Sequence, residues 1–213
     1  SIPFMALELR FRGGGSLDRP GKRGALNLMT GLLEEGAGDL DSRGFARELE
    51  ELAASFGYNL GTDSLSVSAQ FLSENRDEAV ALLRSSIIEP NFDEVDIERV
   101  RGQVLTGLRS DTTDPDEIAR AAFNAMTFGD HPYGSNLSGT MESVAALTRD
   151  DLVAAHGDIF AKDRMFVGAV GDITPDELGV LLDDLLGDLP AKGAAMPSDA
   201  DITMTNGVTV IDF

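Results

Sequence analysis

The chain has 213 residues, 42% of them hydrophobic and 25% charged, enough to bury roughly 70% of the surface its unfolded form exposes and so to build a core without staples. Its formal charge of −20, from 37 acidic against 17 basic side chains, excludes polyanions such as nucleic acid, whose phosphates need basic side chains to displace their counterions. It has no cysteine, which excludes disulfides and thiolate metal sites, and no apolar run approaches the roughly 20 residues that span a bilayer.

In chain order, "FMALELRF" (residues 4–11) alternates apolar and polar residues imperfectly and stops at Gly13-Gly14-Gly15, which predicts a strand and then a loop. The chain begins at Ser1 almost inside this strand, which leads us to expect that an upstream piece, a targeting signal among the candidates, has been removed. The loop "GGGSLDRPGKRG" has the look of a phosphate loop, but Gly15 to Gly21-Lys22 is one residue too long and Arg23 stands where Ser or Thr should hold magnesium. It is read as a mobile strand-to-helix loop.

"GALNLMTGLLEEGA" predicts a helix over residues 24–35, packed on the sheet with Leu28, Leu32 and Leu33 buried. Asn27, Thr30 and Gly31 share one face of it and form a small polar notch. Ser42 is the expected N-cap of a second helix, with Phe45, Leu49, Leu52 and Phe56 at helical spacing and Gly57 at its stop. A competing calcium-loop reading of Asp39, Asp41, Gly44 and Glu50 fails because Arg43 puts a cation in a ligand position.

"NLGTDSLSVSAQFL" predicts two strands around residues 61–64, with Leu65, Val67, Ala69 and Phe71 in strict period two. Helices are expected over 75–88, 93–110, 115–128 and 149–160, a short strand over 165–171, and a last helix opened by Pro175. Residues 190–201 read as a linker, and "ITMTNGVTVIDF" as two strands around Asn206-Gly207 that begin something unfinished. The mixture, without regular βαβ alternation, indicates an α+β class: helices on a largely antiparallel sheet. His131 and His156 lack partners with metal-ligand spacing and are read as structural. No serine sits in a nucleophile elbow.

These segments together resemble the M16 family of zinc metallopeptidases (pitrilysin, insulin-degrading enzyme, mitochondrial processing peptidase). "ELRFRGGGSLDRPGKRGALNLMTGLLEEGA" is similar to the family's strand, loop and helix bearing the inverted zinc motif H-x-x-E-H, and "HPYGSNLSGTMESVAALTRDDLVAAHGDIFAKDRMFVGAVGDITPDEL" to its later half-domain pattern. The resemblance covers essentially the whole chain and places Asn27 at the first zinc histidine, Thr30 at the general base and Gly31 at the second histidine. The third ligand, a glutamate, falls at Thr106-Gly107. None of these offers an imidazole or carboxylate, so the resemblance implies no zinc, no other cofactor and no catalytic residue here.

The resemblance further implies an M16-like domain over 1–189, a linker over 190–201 and the start of a second, truncated domain over 202–213. Such members pair with a zinc-bearing M16 subunit to enclose peptide substrates. The Arg and Tyr with which the inactive half helps bind substrate belong to its second domain, beyond Phe213. The expectation is a non-catalytic subunit of a peptidase in the bacterial periplasm. The alternative is a purely structural homologue of the respiratory core-subunit type, with no part in peptide turnover.

Overall fold

The computed structural model describes residues 3–204 and 207–211. At its centre lies a four-stranded antiparallel sheet built from β1 (Phe4–Arg12), β4 (Ser55–Leu60), β5 (Ser64–Leu72) and β6 (Met165–Gly171), in the order β4-β5-β1-β6. A short hairpin of β2 (Gly36–Ala37) and β3 (Leu40–Asp41) stands apart from it. Strand β1 is central because its alternation is stricter than a first reading gives: Met5, Leu7, Leu9 and Phe11 are all buried, while Glu8 and Arg10 face the other way. Its register sets Leu9 opposite Val67 and Phe11 opposite Leu65, so two period-two stripes merge into one apolar face. On the reverse face Arg10 donates to the Ser66 hydroxyl at 3.2 Å.

One layer of helices covers the apolar face, and the class is the α+β arrangement read from the sequence. Helix α1 (Ala25–Thr30) and α3 (Arg76–Ile88) lie on the sheet, and α7 (Arg149–Ile159) packs on α1. Helix α3 buries Ala79, Leu83 and Ile87, one residue per turn. Helix α8 (Pro175–Leu186) packs on α3 through Leu181 and Leu185. Its start is fixed by Thr174, whose side chain caps the helix while Glu177 reaches back to the Thr174 amide. Helix α4 (Glu94–Asp111) is tied to α6 (Met141–Ala145) by Arg101, buried and donating to the carbonyls of Val144 and Leu147. Helix α5 (Pro115–Phe128) is largely exposed, with Thr127 its one buried residue.

Two helices depart from the sequence reading at their ends. The helix expected over 24–35 stops at Thr30, and residues 31–35 continue as tight turns in which Leu32, Leu33 and Glu35 donate to carbonyls three residues back. Leu28, Leu32 and Leu33 are buried nonetheless. Helix α2 (Ser42–Glu51) is capped by Asp41, not Ser42: the Asp41 carboxylate accepts from the Gly44 amide at 2.7 Å. The same bond shows what Asp41 does in place of ligating calcium. Helix α2 ends at Glu51, followed by Ala53 at φ 47°, and Phe56 belongs to β4. Pairing with β5 outweighs local helical preference here. Phe45 and Phe56 still meet edge to face at 6.4 Å, which is why they share a stripe in the sequence.

The short elements β2, β3 and α6 carry too few residues to show a period. The turn expected at Asn206 lies outside the described residues, and 202–204 and 207–211 form no strand.

Of the two histidines, His131 accepts from the Tyr133 amide at 3.2 Å. His156 donates through Nε2 to the Ile87 carbonyl at 2.8 Å and lies between Phe92 and Phe160. Burial pushes the His156 pKa below its ordinary 6.5, against the weaker pull of the Ile87 carbonyl. The unfolded chain therefore binds this proton more readily than the folded one, and stability falls as pH drops below about 6.5. Urea denaturation between pH 8 and pH 5 should show a smaller acid loss in His156→Gln than in the parent; equal losses would contradict the assignment.

Candidate functional site

Helix α1 is six residues long, too short to form alone, so its position is set from outside. Asp18, in the loop before it, accepts from the Gly24 amide at 2.7 Å and the Leu26 amide at 2.9 Å, satisfying donors at the helix N-terminus. Its side chain is 2% exposed and stands 3.3 Å from Arg23. Burial pushes the Asp18 carboxyl up, while the Leu26 and Gly24 amides and Arg23 pull it down. Arg23 in turn donates to the carbonyls of Gly15, Pro132 and Ser135, joining the loop before α1 to the one after α5. Gly24 sits at φ 92°, and a Cβ there would lie 2.5 Å from the Ser138 carbonyl oxygen, so the two loops touch where only glycine fits. The loop expected to be mobile instead contains a 3₁₀ turn, Gly14–Leu17, all of it buried.

At the other end of α1, Asn27 is half-buried, Thr30 is buried and Gly31 is exposed. The Thr30 hydroxyl donates to the Leu26 carbonyl at 2.7 Å. A Cβ on Gly31 would stand 3.1 Å from Val100 Cγ1, which places this end of α1 against α4. On α4, Thr106 and Gly107 are exposed, and the Thr106 hydroxyl donates to the Gly102 carbonyl at 2.7 Å. The structure thus brings together the two helices to which sequence reasoning assigned the site, α1 and α4. The donor set does not fit zinc: one amide, two hydroxyls turned to their own helices and two glycines supply neither imidazole nor carboxylate. Among the described residues no three of His, Asp and Glu converge on one point.

Sequence reasoning missed a cleft of about 1020 Å³. It opens between the C-terminal end of α4, helix α5 and the 132–142 loop, with Arg23 and the β4–β5 turn on its wall. Leu108, Ile118, Phe128 and Leu137 are its apolar part, and Asp63, Asp111 and Glu142 are among its carboxylates. No local pattern signals it, because its walls come from segments up to 119 positions apart in the chain, from Arg23 to Glu142. Among the described residues, no helix is long and apolar enough to cross a membrane.

The N-terminal clamp is open to test. Asp18→Ala leaves the Gly24 and Leu26 amides and the Arg23 guanidinium without their buried acceptor and should cost about 2–4 kcal/mol in chemical denaturation. A loss below about 0.5 kcal/mol, the level of an ordinary surface change, would contradict it.

Comparison with known proteins gives a consistent picture. Residues 2–141 match the family model "Insulinase (Peptidase family M16)", and residues 146–211 match "Peptidase M16 inactive domain". A Helicobacter pylori protein named non-peptidase homolog YmxG is 32% identical over 189 residues, 89% of this chain and 44% of that protein. The crystal structure of a peptidase M16 inactive domain from Pseudomonas fluorescens superposes with a TM-score of 0.88 at 25% identity, covering 93% of this chain and 48% of that one. The periplasmic protease PqqL from Escherichia coli superposes at 0.79 with 17% identity, over 94% of this chain and 23% of that one, a likeness of fold. The chain spans about half the length of the first two.

Proposed function

The chain belongs to the insulinase (M16) peptidase family, and on that premise we propose that it is a non-catalytic member that pairs with a zinc-bearing M16 subunit to enclose and bind peptides for proteolysis. The observation that carries this reading is the state of α1 and α4. The two helices pack together, and the positions that the family resemblance assigns to the zinc ligands and the general base, Asn27, Thr30 and Gly31 on α1 and Thr106-Gly107 on α4, carry no imidazole or carboxylate. The name of the Helicobacter pylori relative, a non-peptidase homolog, agrees with it.

On the same reading, residues 1–189 form the first domain, 190–201 lead out of it and 202–213 open a second. The compartment is the bacterial periplasm, a reading supported by the fold shared with periplasmic PqqL. Recovery of the native protein with the cytoplasmic fraction would contradict that compartment.

The functional test is reconstitution. The whole protein, mixed with an M16 subunit that carries an intact H-x-x-E-H motif, should raise peptide cleavage well above that of either protein alone. Complex formation with no gain in cleavage would replace the proposal with a purely structural role, and cleavage by this protein alone would overturn its non-catalytic assignment.

A further inference from the structure

The segment after α8 returns along the domain. The Lys162 amide donates to the Pro190 carbonyl and the Ala194 amide to the Asp158 carbonyl, both at 3.0 Å, and the Thr203 amide donates to the Thr127 carbonyl at 2.8 Å. Between Ala194 and Thr203 a single hydrogen bond ties the segment down among the described residues, from His131 Nε2 to the Ser198 carbonyl at 3.0 Å. The other ring nitrogen, Nδ1, accepts from the Tyr133 amide at 3.2 Å. A backbone amide only donates and a carbonyl only accepts, so these two partners fix the form of the ring: Nδ1 bare and the proton on Nε2.

Tyr133 passes the tie on to the cleft. Its hydroxyl donates to Asp63 in the β4–β5 turn at 2.7 Å, and its ring stands edge to face with Phe128 at 5.5 Å. Tyr133 and Phe128 both line the cleft. A second proton on the His131 ring would set Nδ1–H against the Tyr133 N–H, donor against donor, and the ring would have to turn out of the place in which Nε2 reaches Ser198. Carboxylates stand ready to favour the charged, turned ring. Asp130 precedes His131, Asp199 follows Ser198 in the returning segment, and Asp63 stands beyond Tyr133. Asp199 is close enough to act on the Tyr133 phenol. The cation on this side, Arg23, is occupied by Asp18 and by the carbonyls of Gly15, Pro132 and Ser135.

We propose that His131 is a proton-sensitive latch that pins residues 195–202 to the rim of the cleft when neutral and releases both when protonated. The closed latch excludes a proton that the open one accepts, so acid favours opening, within the range of about pH 5 to 8 in which imidazoles change charge. The other histidine has no part in it, because His156 bonds to the Ile87 carbonyl and lies between Phe92 and Phe160. The latch needs no occupant in the cleft.

The test is nuclear magnetic resonance of the ¹⁵N-labelled protein between pH 8 and pH 5. At pH 8 the His131 ring should show a bare Nδ1 and a protonated Nε2. As the ring takes up its second proton, the Tyr133 and Thr203 amides should shift with the same midpoint, and each should lose about fivefold in protection from exchange, corrected for the intrinsic pH dependence, which is the loss that one net hydrogen bond gives. His131→Asn keeps a side-chain acceptor for the Tyr133 amide but has no group to reach Ser198. Its Tyr133 protection should stay near the parent's pH 8 value throughout, and its Thr203 protection near the parent's pH 5 value. His156→Gln should respond to pH as the parent does.

A proton on Nδ1 at pH 8, or protection at Tyr133 and Thr203 that does not change with pH, would overturn the latch. So would a response that persists in His131→Asn or vanishes in His156→Gln, since either assigns it to another group.

Discussion

The packing around the candidate site depends on how a six-residue helix is held. Helix α1 cannot persist on its own hydrogen bonds. It is held by the Asp18 carboxylate at its N-terminus and by the burial of Leu26, Leu28 and Met29 between sheet and neighbouring helices. The face bearing Asn27, Thr30 and Gly31 is held differently: Thr30 is buried with its hydroxyl on the Leu26 carbonyl, and Gly31 stands against Val100 of α4. A small residue at position 31 therefore suits the approach of α1 to α4.

Burial and strand pairing decide what was legible in the sequence. The strands were legible where burial imposes a period on consecutive residues, as at Leu65, Val67, Ala69 and Phe71, which needs no distant information. Helix ends were less so. Phe56 continues the apolar spacing of Phe45, Leu49 and Leu52, and only pairing with β5 takes it out of α2. Thr30 ends α1 because Leu32 and Leu33 reach the core through tight turns, an arrangement that leaves the same residues buried as a longer helix would.

The candidate site is a reading that rests on resemblance alone. In isolation Asn27, Thr30 and Gly31 are an unremarked polar notch, and only the M16 pattern turns their identity into an absence. Asp18 and the cleft were hidden for another reason. Asp18 bonds an amide eight residues away across a loop rich in glycine and proline, outside the spacing of any helix cap. The cleft joins residues of α4, α5, the β4–β5 turn and the 132–142 loop, whose meeting is a property of the tertiary fold. Residues that touch only after folding leave no period to read.

The account stands or falls on the claim that this chain keeps the helices of a zinc site without its ligands, and metal content measures that directly. After exposure to excess zinc and desalting, the account predicts far less than one zinc per chain by elemental analysis, because no imidazole or carboxylate stands at Asn27, Thr30, Gly31, Thr106 or Gly107. One tightly held zinc per chain would contradict it.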